Sequence, residues 1–281
     1  MKKGKTLFIS DLDDTLLDKS SVLSSYTKQA LNDLISRGID FTVATGRSTD
    51  AVEKMMSDIV LNIPIVSFNG AAIYDIRHNN YVKVFWISPE SIKNVVSILK
   101  AFGVSWLMYK LTSHALIAYY DSHEKLITDY VKDRKKRYNS SFCQVNDLYE
   151  VSAAHIMYFT LLDSYERLKP ICDDLTTIHD INFVMVDLRT EGLWWLEILS
   201  AEASKGNAVK FLRETYGYER IIGFGDNYND LTMFKYCDVR VAVQNALDEI
   251  KAAADSICES HDEDGVVKWI ENHLSHSAIV E

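Results

Sequence analysis

Lys5-Thr-Leu-Phe-Ile-Ser10 runs directly into Asp11-Leu-Asp-Asp-Thr15. A short apolar, β-prone run of this kind reads as a buried strand. It delivers carboxylates to the edge of a sheet, where unpaired negative charge is unfavourable unless a cation or a proton relieves it. A metal ion is the simplest relief. Three further runs end in the same way: Ile39-Asp-Phe-Thr-Val-Ala44 before Thr45-Gly46-Arg47, Ile63-Pro-Ile-Val-Ser-Phe68 before Asn69-Gly70, and Arg220-Ile-Ile-Gly-Phe224 before Gly225-Asp226-Asn-Tyr-Asn-Asp230. Strands of this length alternating with helical patterns predict a doubly wound, parallel α/β sheet. Ligands of such sheets bind outside the carboxyl ends of the strands, so the four polar clusters are expected to converge on one site.

The pattern between the runs supports this reading. Ser24 to Gly38 carries Ala30, Leu31, Leu34 and Ile35 on one face and ends at a glycine, as an amphipathic helix does. Helices are also expected over 48–60, 204–216, 228–236, 245–254 and 263–274, with a further strand at 239–243. The middle differs: aromatic, β-prone runs at 82–87, 104–109, 115–120 and 156–162 alternate with helical stretches. The expected organisation is a core built from residues 1–83 and 191–281, interrupted by an inserted α+β cap domain over 84–190. The adjacent Trp194 and Trp195 are expected to pack the hinge or a sheet.

Composition narrows the function. A chain of 281 residues with 47% hydrophobic and 25% charged residues can bury a large core, and its net charge of −10 argues against nucleic-acid or anionic-membrane partners. Lys132-Asp-Arg-Lys-Lys-Arg137 in such a chain reads as a solvated helix face. Cys143, Cys172, Cys237 and Cys258 lack metal or redox spacing and read as reduced core residues. The eight histidines show no ligand spacing. The basic start is broken by Asp11 before a signal-peptide core could form, and no stretch approaches a membrane span, so a cytoplasmic location is expected. The acidic turn fails as an EF-hand, with Leu16 and Val22 where glycine and glutamate belong. The glycines near Gly223 and Lys205 fit neither a dinucleotide fingerprint nor a P-loop.

The chemistry follows from the acids. Asp11, Asp13, Asp226 and Asp230 make an oxygen-rich set suited to Mg²⁺ and to substrate phosphate. An ionised aspartate is a competent nucleophile toward phosphorus. A carboxyl crowded by like charge has its pKa raised, so Asp13 could protonate a leaving alcohol and then serve as base for water. Thr45 and the backbone of its turn, including Gly46, suit an anion, and Lys205 offers a point charge at an expected helix start.

At these residues the chain resembles the haloacid dehalogenase superfamily. The motifs are Asp11-Leu-Asp-Asp-Thr-Leu-Leu, Ala44-Thr-Gly-Arg47, Ser67-Phe-Asn-Gly-Ala71, Ser204-Lys-Gly206 and Gly223-Phe-Gly-Asp-Asn-Tyr-Asn-Asp230, in that order. They are most similar to the Cof-like sugar-phosphatase branch, as is the tail from Asn245 to Asp255 and Asp262 to Val266. The resemblance implies Asp11 as nucleophile and Asp13 as acid/base. It implies Mg²⁺ held by Asp11, the Asp13 backbone carbonyl and Asp226, and phosphate met by Thr45, Gly46, Asn69 and Lys205. Arg47, Asn229 and Asp230 would support these groups. The implied activity is a Mg²⁺-dependent phosphatase acting on a small phosphorylated metabolite through an aspartyl-phosphate, with the cap selecting the leaving group. A phosphomutase or phosphotransferase on the same core is the enzymatic alternative. A phosphate-sensing receiver is the other, disfavoured by Asp13, which would hasten phosphoryl loss. Two positions depart from the pattern: Asp14 and Gln244 stand where the family commonly has glycine.

Overall fold

The first apolar run forms β1 (Thr6–Ser10), and its Leu7, Phe8 and Ile9 are all buried. Burial of consecutive residues means that both faces of the strand are covered, as in a parallel sheet flanked by helices. A computed structural model describes residues 5–113, 115–151, 153–188 and 192–279. From β1 the chain continues through α1 (Ser25–Ser36), β2 (Asp40–Val43), α2 (Thr49–Met55), β3 (Ile65–Ser67), β4 (Ala72–Asp75) and β5 (Asn80–Val84). Next come α3 (Pro89–Phe102), β6 (Trp106–Leu111), β7 (Leu116–Tyr120), α4 (Lys125–Tyr138) and β8 (Phe142–Gln144). These lead to β9 (Ile156–Ser164), α5 (Tyr165–Leu175), β10 (Ile181–Asp187) and β11 (Leu193–Ser200). The return consists of α6 (Lys205–Tyr216), β12 (Arg220–Gly225), α7 (Asp230–Phe234), β13 (Val239–Val243), α8 (Asp248–Ala253), β14 (Ser256–Cys258) and α9 (Gly265–Ile279).

Two compact units result, residues 1–83 with 204–281, and residues 84–203. In the first, a five-stranded sheet runs β14-β13-β12-β1-β2, with every neighbouring pair parallel. The two ends of the chain meet at its centre, where Ser10 of β1 lies beside Phe224 of β12. Ala30, Leu31 and Leu34 of α1, Val209 and Leu212 of α6, and Val266, Val267 and Ile270 of α9 join the strand residues in one core.

The third apolar run departs from expectation. Instead of extending the parallel sheet, β3 pairs antiparallel with β4, and β3, β4 and β5 form a separate three-stranded sheet. A parallel bridge, Ala44 to Val66, connects it to the end of β2. Gly70, in the left-handed region at φ 94°, lets the chain reverse after β3 where a parallel strand would have needed a long crossover.

The second unit is a six-stranded sheet in the order β10-β11-β9-β6-β7-β8, antiparallel except for β7 and β8. Helices α3 and α5 cover one face, packing Val95, Leu99, Leu168 and Ile171 against Trp106, Phe159 and Ile198. The expected return to the core at 190–191 lies outside the described residues. Beyond it, β11 still pairs with β9 and β10, and the unit ends at Ala203. The near-continuous apolar run Leu193-Trp-Trp-Leu-Glu-Ile-Leu199 needs partners on both edges, and only this sheet supplies them. Trp194 and Trp195 therefore pack within this unit, against Tyr165 and Tyr130 at ring distances of 5.0 and 5.1 Å.

Candidate active site

Strand register builds the site. The Asp11 N–H donates to the Phe224 carbonyl at 3.0 Å and the Ala44 N–H to the Ser10 carbonyl at 2.8 Å, which aligns the carboxyl ends of β12, β1 and β2. Asp11, Thr45 and Asp226 follow directly from those ends. The fourth cluster arrives by a different route. Phe68, Asn69 and Gly70 all have positive φ, at 52°, 52° and 94°. The strain of such a segment persists only when its surroundings hold it. Here the Phe68 and Asn69 N–H groups donate to the Arg47 and Thr45 carbonyls at 3.0 and 2.9 Å. Gly70 lies so close to Ser204 that a Cβ would collide with the Ser204 carbonyl. The segment is thus wedged between the turn after β2 and the start of α6.

Lys205 is the first residue of α6, whose N-cap Ser204 accepts from the Asn207 N–H through its hydroxyl at 3.0 Å. Its ammonium is completely buried and bonds Asp11 Oδ1 and Asp230 Oδ1, both at 2.7 Å. Two carboxylates hold the Lys205 pKa above its usual value despite burial. Asp230 has no exposed surface, and its other oxygen accepts from the Asp226 and Asn227 N–H groups at 2.9 and 3.1 Å. It orients both the lysine and the loop carrying Asp226. Gly225 permits this, because a Cβ there would lie 2.6 Å from the Asp230 side chain. Among the described residues no donor reaches Asp11 Oδ2.

One cation does not balance this cluster. Asp11, Asp226 and Asp230 bring carboxylate oxygens within 4.8 Å of one another, all buried. Burial raises the Asp11 carboxyl pKa well above the usual range; Lys205 opposes the rise and the neighbouring acids add to it. Asp226 is pushed up to about 6, by burial first and Asp230 second, although the Thr15 hydroxyl donates to its Oδ1 at 2.9 Å. An all-oxygen, net-negative, buried set of this kind fits a hard divalent cation such as Mg²⁺.

Asp13 does not join the cluster through its side chain. Arg47 grips it in fork geometry, Nε to Oδ2 at 2.8 Å and Nη2 to Oδ1 at 2.6 Å, so a guanidinium faces the carboxylate that like charge alone was expected to surround. Any ligand to a cation from Asp13 would be its backbone carbonyl. Thr45 is buried, and its hydroxyl accepts from the Arg47 N–H at 3.2 Å through the oxygen, which leaves the hydroxyl's own donor out of that bond. The Asn69 amide lies over Gly46, where a Cβ would sit 3.1 Å from Nδ2, and its Oδ1 accepts from Asn229 Nδ2 at 3.1 Å. Ten residues singled out in the sequence thus fall in one place. Thr15 and Asn245 also hold the site's loops and were not singled out. Thr15 lies within the acidic motif Asp11-Leu-Asp-Asp-Thr15, but nothing local marks its hydroxyl for Asp226.

A family model of haloacid dehalogenase-like hydrolases matches residues 8–270. The chain belongs to this family. It is a phosphoric monoester hydrolase. This haloacid dehalogenase-like hydrolase is 30% identical to a 5-amino-6-(5-phospho-D-ribitylamino)uracil phosphatase of Bacillus subtilis, across 94% of its own length and 96% of the relative's. It is 24% identical to a pyridoxal phosphate phosphatase of Escherichia coli, across 94% and 97%. In structure it is similar to a haloacid dehalogenase-like hydrolase from Bacteroides thetaiotaomicron, with TM-score 0.81 and 26% identity over 96% of this chain and 99% of the other. Among the described residues no helix is long and apolar enough to cross a membrane.

Proposed function

We propose that this chain is a Mg²⁺-dependent phosphatase that hydrolyses a small phosphorylated metabolite in two steps through Asp11. One observation carries the reading: Lys205 holds Asp11 through Oδ1 alone, with Asp11 in one buried carboxylate cluster with Asp226 and Asp230. In the first step Asp11 Oδ2 bonds to phosphorus as the ester P–O bond breaks, and the departing alkoxide takes a proton from Asp13. In the second, Asp13 removes a proton from water, the water oxygen bonds to phosphorus, and the Asp11–phosphorus bond breaks to release inorganic phosphate. Bound between Asp11, the Asp13 carbonyl and Asp226, Mg²⁺ would neutralise phosphoryl charge and let two anions approach.

The chain's own groups serve the transferring phosphoryl directly. Two of the three Lys205 N–H donors are used by carboxylates, leaving one for a phosphoryl oxygen. Thr45, the Gly46 backbone and the Asn69 amide would meet the others. Arg47 must release Asp13 for proton transfer, so the pair has to open in each cycle. A small-metabolite substrate is supported by the relatives named for a ribitylamino-uracil phosphate and for pyridoxal phosphate. The test is a panel of phosphorylated metabolites assayed with Mg²⁺ and with excess chelator. Turnover should require the metal, and full activity in chelator would refute the mechanism.

A further inference from the structure

Asn245, in the turn between β13 and α8, grips segments that no local pattern connects. Its Nδ2 donates to the Asp14 carbonyl at 2.7 Å, while its Oδ1 accepts from the His261 N–H at 3.0 Å and the Ser260 hydroxyl at 3.4 Å. The His261 ring in turn bonds the Leu17 carbonyl at 2.8 Å. Two residues after Asn245, the Leu247 N–H donates to the Asp226 carbonyl at 3.0 Å. One short turn therefore holds the backbone after β1 and the backbone after β12 together.

The grip on Asp14 has a particular consequence. Asp14 has φ 55°, in the left-handed region that disfavours an L side chain. Its φ is the rotation between its own Cα and the peptide plane shared with Asp13, so wherever Asp14 is held in place this φ sets the direction of the Asp13 carbonyl. A glycine would hold that conformation at little cost. An aspartate, whose backbone prefers to relax to negative φ, needs an external hold, and the amide on its carbonyl supplies one.

We infer that Asn245 is a positioning residue for the cation site: its clasp keeps Asp14 left-handed and so aims the Asp13 carbonyl toward the space shared with Asp11 and Asp226. The inference rests on the metal-dependent reading above. It is tested on the full chain by the Mg²⁺ concentration at half-maximal thermal stabilisation, a readout of binding independent of turnover. Asn245→Ala should raise that concentration about fivefold. Asn245→Asp keeps the acceptor for His261 and Ser260 and loses only the donor. Its added negative charge would by itself tighten cation binding, so a rise there isolates the clasp. In an Asp14→Gly background the rise from Asn245→Ala should shrink to less than about twofold, because glycine holds the turn unaided. A purely structural role would lower the metal-free melting temperature and leave the Mg²⁺ midpoint where it was. An unmoved midpoint in folded Asn245→Asp, or an equal rise in both backgrounds, overturns the inference. No Mg²⁺ stabilisation of the unsubstituted protein would remove the cation site itself, and the inference with it.

Discussion

Asp11 and Asp13 stand two residues apart in different environments. Asp11 is buried against an ammonium; Asp13 is partly exposed against a guanidinium. Asp11→Asn removes the proposed nucleophile while keeping its shape, so turnover should fall by several orders of magnitude with no phosphoprotein formed. Its melting temperature in chelator should be equal or higher, since a buried anion has been neutralised. Asp13→Asn keeps the proposed nucleophile and removes the proposed proton shuttle. With an activated aryl phosphate it should accumulate phosphate on Asp11, visible by rapid-quench mass spectrometry; an adduct in Asp11→Asn instead would reverse the two roles. The pH dependence follows from Asp226, whose pKa in the fold is about 6 against an ordinary 3.8. A raised folded pKa means that protonation favours the fold, a contribution present below 3.8 and lost as pH rises through about 6. The loss is on the order of 3 kcal/mol in metal-free protein. The proposed Mg²⁺ would require the ionised carboxylate, so its stabilisation should run the other way and grow through the same window. Melting curves in chelator and in saturating Mg²⁺ should diverge as pH rises from about 4 to about 7 and run parallel above that; curves parallel across the lower range would contradict this assignment.

At the scale of elements, the site depends on close approaches that only glycine permits. Gly70 combines φ 94° with contact against Ser204, so Gly70→Ala strains the backbone and pushes the start of α6 away from Asn69. The expected destabilisation is about 2–4 kcal/mol, with a loss of activity larger than the loss of folded protein because Lys205 moves as well. Denaturant unfolding and activity per folded molecule would measure the two separately. The sequence brings Asn69 to the site as the end of a parallel strand and Lys205 by its charge at an expected helix start, but no local pattern reports that β3 turns into a hairpin. The helices were more readily legible: Ser24 and Ser204 cap their helices with side-chain bonds at the serines themselves. That signal is contained within three residues of chain.

The two units have separate hydrophobic cores, and every residue assigned here to chemistry lies in the first. If the second unit selects the leaving group, deleting residues 84–203 with a short linker should leave a folded protein with weak, unselective phosphatase activity. Deleting only 84–190 should give an aggregating product, because β11 would keep its apolar residues and lose both pairing partners. Circular dichroism and size-exclusion chromatography distinguish the two deletions. An unchanged substrate ranking in the folded, trimmed protein would place selectivity in the first unit.

The sequence by itself determined the α/β class, the strand ends bearing Asp11, Thr45 and Asp226, and the helix starting at Lys205, because alternation, caps and turn residues are local signals. Only the tertiary structure decided that β3 leaves the parallel sheet and that β11 belongs to the second unit. It alone paired Arg47 with Asp13, set Lys205 between Asp11 and Asp230, and brought Asn245 to Asp14. These outcomes depend on partners separated by up to 231 positions along the chain. A strand's edge partner, or a carboxylate's cation, is chosen by what folding brings beside it, and no window of sequence contains both members of such a pair.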